Sequence, residues 1–185
     1  MRQDNRLTGW PNSWSLPQPT AGVTWLQLDL QQRQLQAIPP LRDGDGATPV
    51  GSLTAELPPD LVEEADDEGA HPAAPPPAGS YYAALRLQSN HIGAVEPGAF
   101  ASLPWLCALD LSLNHIEALA LAPDTVPRLR TLCLRNNRLV SAAPLGALRS
   151  LRQLDVSLNQ LQSLEGLEGL EELTALAASG PPLGL

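Results

Sequence analysis

The chain has 185 residues, the size of one domain, and 43% of them are apolar, enough to build a core. One Phe, two Tyr and four Trp make that core chiefly leucine, and the formal net charge of −9 comes with no lysine at all. An acidic balance without a basic stripe or a stacking platform argues against direct nucleic-acid binding, and no run of 18 apolar residues is present to span a membrane.

Residues 1–24 read as an irregular N-terminal cap or tail. Pro11, Pro17 and Pro19 follow Arg2 and Arg6 where a signal peptide would carry an apolar stretch, so no signal peptide is expected. Trp10 and Trp14 suit a lid over the first strand of a stacked fold, whose end would otherwise show its core to water. A docking motif for a partner is the functional alternative.

From Trp25 onward, apolar residues recur at Leu28, Leu30, Leu35 and Ile38, and Arg33 falls eight residues after Trp25. Moving the start back by two residues puts Gln31 in that slot but Arg33 in an apolar one, so the first register is preferred. Residues 42–80 then break the pattern. Between 43 and 80 lie nine acids and no Lys or Arg, while the rest of the chain is neutral. Pro72, Pro75, Pro76 and Pro77 close this run. Such a composition buries too little apolar surface to offset chain entropy, so the segment is expected to be a disordered acidic insertion that modulates or extends a contact. A short docking turn at Leu57, Leu61 and Val62, or a decayed repeat, are the other readings.

A spacing then recurs four times, from Tyr82, Leu106, Leu129 and Leu151. Apolar residues follow three and five positions on, Asn eight on, and Ile or Leu ten on. The members are Leu85, Leu87, Asn90 and Ile92; Leu109, Leu111, Asn114 and Ile116; Leu132, Leu134, Asn137 and Leu139; Leu154, Val156, Asn159 and Leu161. The starts are 24, 23 and 22 residues apart. A last unit begins at Leu173 with Leu176, meets Ala178 in the next apolar slot, and passes into a tail over 177–185 with no recognisable cap. A fixed period of this length signifies a solenoid.

The alternation at each Leu-x-Leu predicts a short strand with leucines inward. The turn after each strand strands backbone groups away from water. An Asn carries both a donor and an acceptor, so Asn90, Asn114, Asn137 and Asn159 are predicted to form a ladder that satisfies these turns. Arg33 has no acceptor, and the first rung should be imperfect. Leu164, Leu167 and Leu170 at three-residue spacing predict a 3₁₀ return.

The repeated LxxLxLxxNxL motif resembles that of the leucine-rich-repeat family, over residues 25–176 with the insertion excluded. The resemblance implies an α/β leucine-rich-repeat solenoid, curved, with short parallel strands on the concave face and irregular or 3₁₀ returns on the convex face. The 22-residue unit at 151–172 is similar to the short intracellular class. The stretch Ile92 to Trp105, with Glu96, Pro97, Gly98, Ala99 and Phe100, is similar to a longer class common outside cells. Family members are mostly protein-binding modules, so the resemblance implies a protein partner.

On the concave face the outward positions include Asp29, Arg86, Gln88, Asp110, Ser112, Cys133, Arg135 and Asp155, a polar set of alternating sign. These are the candidate partner-binding residues. The alternative is a solvated sheet with cross-strand ion pairs such as Arg86 with Asp110.

No phosphate loop, dinucleotide fingerprint, HExxH, CxxC or catalytic triad signature occurs, so no enzyme and no cofactor are expected. His91 and His115 share one repeat position and are placed to stack; a zinc pair is the functional reading, polar edge residues the plainer one. Cys133 on the concave column is a candidate reactive thiol, and Cys107 is packed or at an edge. Two cysteines inside the repeats favour a reducing, cytoplasmic setting, with nuclear or cytoskeleton- or cilium-associated alternatives. The resulting expectation is a non-enzymatic interaction module, scaffold or adaptor. The alternatives are an extracellular or receptor-derived ligand-binding segment, or a truncated isoform without independent function.

Overall fold

The computed structural model describes residues 23–39, 41, 52–54 and 79–180. The cap expected from Trp10 and Trp14, the acid-rich segment apart from Ser52–Thr54 and Gly79–Ser80, and the tail after Gly180 lie outside the described residues. The strands are β1 (Val23–Asp29), β2 (Ser52–Thr54), β3 (Gly79–Arg86), β4 (Ala94–Val95), β5 (Ala108–Asp110), β6 (Ala118–Leu119), β7 (Thr131–Cys133), β8 (Gln153–Asp155) and β9 (Ala175–Ala177). Seven of them form one sheet in the order β2-β1-β3-β5-β7-β8-β9. Every neighbour pair from β1 to β9 is parallel, while β2 runs antiparallel on the outer edge of β1. The chain therefore winds as a solenoid of about four turns.

Register follows the leucines. Leu28, Leu85, Leu109, Leu132, Leu154 and Leu176 are successive partners across the sheet. Their inward side chains form a continuous stack, fully buried from Leu28 to Leu132, and each such side chain adds roughly 1.5–3 kcal/mol. Leu176 at the last strand is 43% exposed. Pairing of Leu28 with Leu85 matches the preferred register, with one difference. Leu26, not Trp25, lies opposite Tyr82, because the register shifts between Leu26 and Gln27. The shift leaves Ala83 as an extra residue in β3, which is a β-bulge. β3 also begins at Gly79, so the sheet takes in the last residues of the segment expected to loop out.

After each strand the chain turns through a left-handed residue. Ser89, Leu113, Asn136 and Leu158 all have φ of 56°. Each stands directly before a ladder Asn. Only Asn136 is a residue type that favours this region, since a Cβ there crowds the following carbonyl.

The returns differ from repeat to repeat. Those of the first two long units pair as a second small sheet, β4 with β6, which the sequence pattern does not announce. There Glu96 accepts a hydrogen bond from the Ala99 N–H at 3.1 Å around Pro97 and Gly98, with Gly98 at φ 80°. Pro and then Gly at the two central positions is the type II combination. The turn delivers Phe100 into the core, where it is 1% exposed. Later returns tighten to 3₁₀ turns at Ala143–Ala147 and Leu167–Gly169. They approach so closely at Gly146 that an added Cβ would stand 1.8 Å from the Gly166 carbonyl oxygen.

Candidate functional site

The Asn ladder sets the edge where strands become returns. Asn114 Nδ2 donates to the carbonyls of Leu87 at 3.0 Å and Leu111 at 3.0 Å, and its Oδ1 accepts from the Ile92 N–H at 3.1 Å. Asn137 repeats this with Leu111, Leu134 and Ile116, and Asn159 with Leu134, Val156 and Leu139. Each side chain thus joins its own turn to the turn of the repeat before. That direction corrects the expectation about Arg33. The first turn is served by Asn90, which accepts from the N–H groups of Arg33 at 2.9 Å and Leu35 at 3.1 Å and donates to the Leu30 carbonyl at 2.9 Å. An Asn in place of Arg33 would serve residues further toward the N-terminus, so the rung between the first two described repeats is complete.

On the strand face Asp29, Arg86, Asp110, Cys133 and Asp155 line up as one row across the sheet, Gln88, Ser112 and Arg135 follow two residues on, and the set is mostly closed in. Arg86, Asp110, Ser112 and Cys133 are buried, Asp29, Gln88 and Asp155 are half-buried, and Arg135 is exposed. Arg86 Nη1 lies 3.4 Å from Asp29 Oδ2, and Nη2 donates to Gln31 Oε1 at 3.3 Å. The cross-strand ion pair of Arg86 is therefore with Asp29. Asp110 is held by its own strand end, where the Ser112 N–H and hydroxyl both donate to its Oδ1, at 2.9 and 2.6 Å. Gln88 Nε2 donates to the same Gln31 Oε1, so this amide bridges neighbouring strands beside the Arg86 guanidinium. Ser157 holds Asp155 as Ser112 holds Asp110, its N–H donating at 2.9 Å. Asp-x-Ser is therefore a strand-ending device, a role that the shared spacing of Asp110/Ser112 and Asp155/Ser157 signals in the sequence.

Burial pushes the Asp110 carboxyl up from its usual range, against the Ser112 hydrogen bonds and the Arg86 charge. Cys133 sits beside it. Burial first, and the Asp110 carboxylate second, push its thiol up to about 12. A nucleophilic cysteine needs the opposite shift, so the reading of Cys133 as a reactive thiol is corrected to a packed, protonated one. Burial pushes Cys107 up to about 11. Both cysteines are free.

At the strand starts, on the other edge of the sheet, the Arg128 guanidinium lies 4.0 Å from the Trp105 ring centre and Tyr81 tilts against the same ring at 5.7 Å. This cation–π stack joins three neighbouring repeats. It was missed in the sequence because the three residues are of different types.

Along the ladder edge runs an open groove of about 710 Å³, floored by the Asn residues and flanked by the left-handed column on one side and by His91, His115, Arg138 and Gln160 on the other. His91 and His115 stack with ring centres 5.5 Å apart and planes 14° from parallel. Among the described residues no group of three or more His, Cys, Asp or Glu is placed to hold a metal ion. Likewise no described helix is long and apolar enough to cross a membrane.

Comparison with known proteins agrees with this geometry. A family model described as Leucine rich repeat matches residues 83–139, and one described as Leucine Rich repeats (2 copies) matches residues 127–174. A comparison with curated proteins found no match. Together the matches cover residues 83–174, the stretch in which Leu85, Leu109, Leu132 and Leu154 pair across one parallel sheet and each Asn ties its turn to the last, and they support a leucine-rich-repeat protein, whose repeats are generally protein-interaction modules.

Proposed function

We propose that this chain is a non-enzymatic scaffold or adaptor that engages a protein partner across the strand face, in a cytoplasmic setting. The observation that carries the reading is the polar set Gln88, Arg135 and Asp155 on one sheet face. These are among the solvent-reaching members of a face whose buried Asp110 and Arg86 are held by Ser112 and Asp29. Such a face is rigid before binding, so little ordering entropy is lost when a partner docks. Arg135 is the exposed cation at its centre. The two free, buried cysteines support a reducing compartment.

The test is quantitative affinity capture from cytosol with the full chain, its Arg135→Glu variant, and a Glu171→Arg variant on an exposed return. The reading expects a reproducible partner that is retained by Glu171→Arg and lost with Arg135→Glu. A recovered set that is indifferent to Arg135, or no reproducible partner, would overturn it. The long return with buried Phe100 is the feature that favours the alternative of an extracellular ligand-binding segment. Efficient secretion of the chain behind an added leader, with ligand capture from medium and none from cytosol, would select that reading instead.

A further inference from the structure

The groove along the ladder edge carries two oddities that the fold does not require. Leu113 and Leu158 occupy left-handed positions at φ 56°, a conformation that leucine disfavours, and yet are 48% and 44% exposed. Their side chains gain little from burial in return for the strained backbone. Asn136, between them, shows what suits the site when only the turn matters. Unfavourable backbone geometry maintained at an exposed apolar residue points toward function rather than packing. The second oddity is charge. In a chain of net charge −9, the ionisable groups lining this groove are His91, His115 and Arg138, with no carboxylate among them. Arg138 uses Nη1 on Glu117 at 3.2 Å, an exposed pair worth little. Its Nε and Nη2 make no hydrogen bond among the described residues. Two leucines therefore stand two repeats apart with a cation on the repeat between them, and a stacked imidazole pair continues the Arg138 flank toward the N-terminal end.

We propose that this groove binds an extended segment of another protein that carries acidic side chains between apolar ones. Successive repeats are spaced by roughly 4.8 Å, so four of them span roughly 14 Å, room for about four extended residues lying across the repeats. The apolar side chains of the segment cover Leu113 and Leu158. A carboxylate between them takes a forked pair of hydrogen bonds from Arg138, the geometry in which arginine binds carboxylates most strongly. Exposed leucines in place of aromatic rings favour such a peptide over a nucleotide, whose bases would need stacking faces at those positions. This site lies on the edge of the sheet, independent of the strand face.

The experiment pans a displayed library of random twelve-residue peptides against the full chain and measures an enriched, fluorescently labelled peptide by anisotropy. Enriched peptides are expected to share an acidic residue flanked by apolar ones. Affinity should fall at least tenfold with Arg138→Glu and with the double change Leu113→Asn, Leu158→Asn. It should be unchanged by Arg135→Glu on the strand face, which separates this result from the fate of the proposed scaffold role. The double Asn variant should melt at or above the temperature of the native chain, because Asn accepts the left-handed turn; a merely structural role for these leucines would lower it. No enrichment, enriched peptides without acids, peptides displaced by an oligonucleotide with no need for apolar side chains, or binding within twofold of native in both variants would each overturn the proposal.

Discussion

Replacing Asn114 by Ala measures how much of this solenoid's stability rests on a side chain that contacts no ligand. Asn114 is 4% exposed and sits beside Ile92, which is fully buried. Truncation removes donors to three carbonyls, those of Leu87, Leu111 and Ser112. Each keeps another partner. Asn90 still donates to the Leu87 carbonyl, Asn137 to that of Leu111, and the Ser89 N–H to that of Ser112. The Ile92 N–H has no such reserve, because its hydrogen bond is to Asn114 Oδ1. A buried donor left alone costs about 1–3 kcal/mol, and the three weakened carbonyls add a smaller amount. The expected loss is therefore about 2–3 kcal/mol, read as a lower urea midpoint with an unchanged slope. Native-state hydrogen exchange supplies a local check: the Ile92 amide should exchange faster, while Ile116, served by Asn137, should change only with global stability. The Leu111 carbonyl tests the sharing directly, since Asn114 and Asn137 both donate to it. Removing both side chains should cost more than the sum of the single losses. A loss under about 0.5 kcal/mol for Asn114→Ala with the Ile92 amide still protected would refute the assignment of the ladder as the element that satisfies the turns.

Three further outcomes are expected. Gly146→Ala puts a Cβ against the Gly166 carbonyl and should destabilise by at least about 1–3 kcal/mol in urea unfolding, since backbone must move to admit it; equal stability would mean the two returns are not in contact. Native Asp110 holds its proton more tightly than the unfolded chain does, so its contribution to stability is full below the ordinary carboxylate range and lost as pH rises through the native pKa. Asp110→Asn removes that loss while keeping an acceptor for the Ser112 N–H, so its stability relative to the native chain should increase from acid to neutral pH; a difference independent of pH would show that the carboxyl is not perturbed. Cys107 and Cys133, with thiols pushed up to about 11 and about 12, should resist iodoacetamide at neutral pH in the folded chain and react readily in urea. Fast modification of the folded chain would contradict their burial.

Much of the fold was legible because each repeat makes a specific chemical demand at a fixed position. A buried turn needs a side chain with both a donor and an acceptor, and Asn90, Asn114, Asn137 and Asn159 answer it; the inward leucines set the register from Leu28 to Leu154. The site was less legible. Arg86 sits between Asp29 on one strand and Asp110 on the other, and sequence spacing treats the two alike; in the structure its Nη1 lies 3.4 Å from Asp29 Oδ2. The role of Cys133 turned on burial, which an alternating pattern places on the outward face without saying how closely its neighbours pack.

The sequence by itself determined the period, the inward leucines and the Asn ladder, because these are local rules repeated until they agree. Only the tertiary structure decided which way each Asn reaches, which acid takes Arg86, that β4 pairs with β6, and that Leu113 and Leu158 are held in left-handed turns at an exposed edge. The physical reason is common to all four. Each depends on how one repeat is stacked against the next, and that relation is set by backbone hydrogen bonds between segments more than twenty residues apart, which no window along the chain contains.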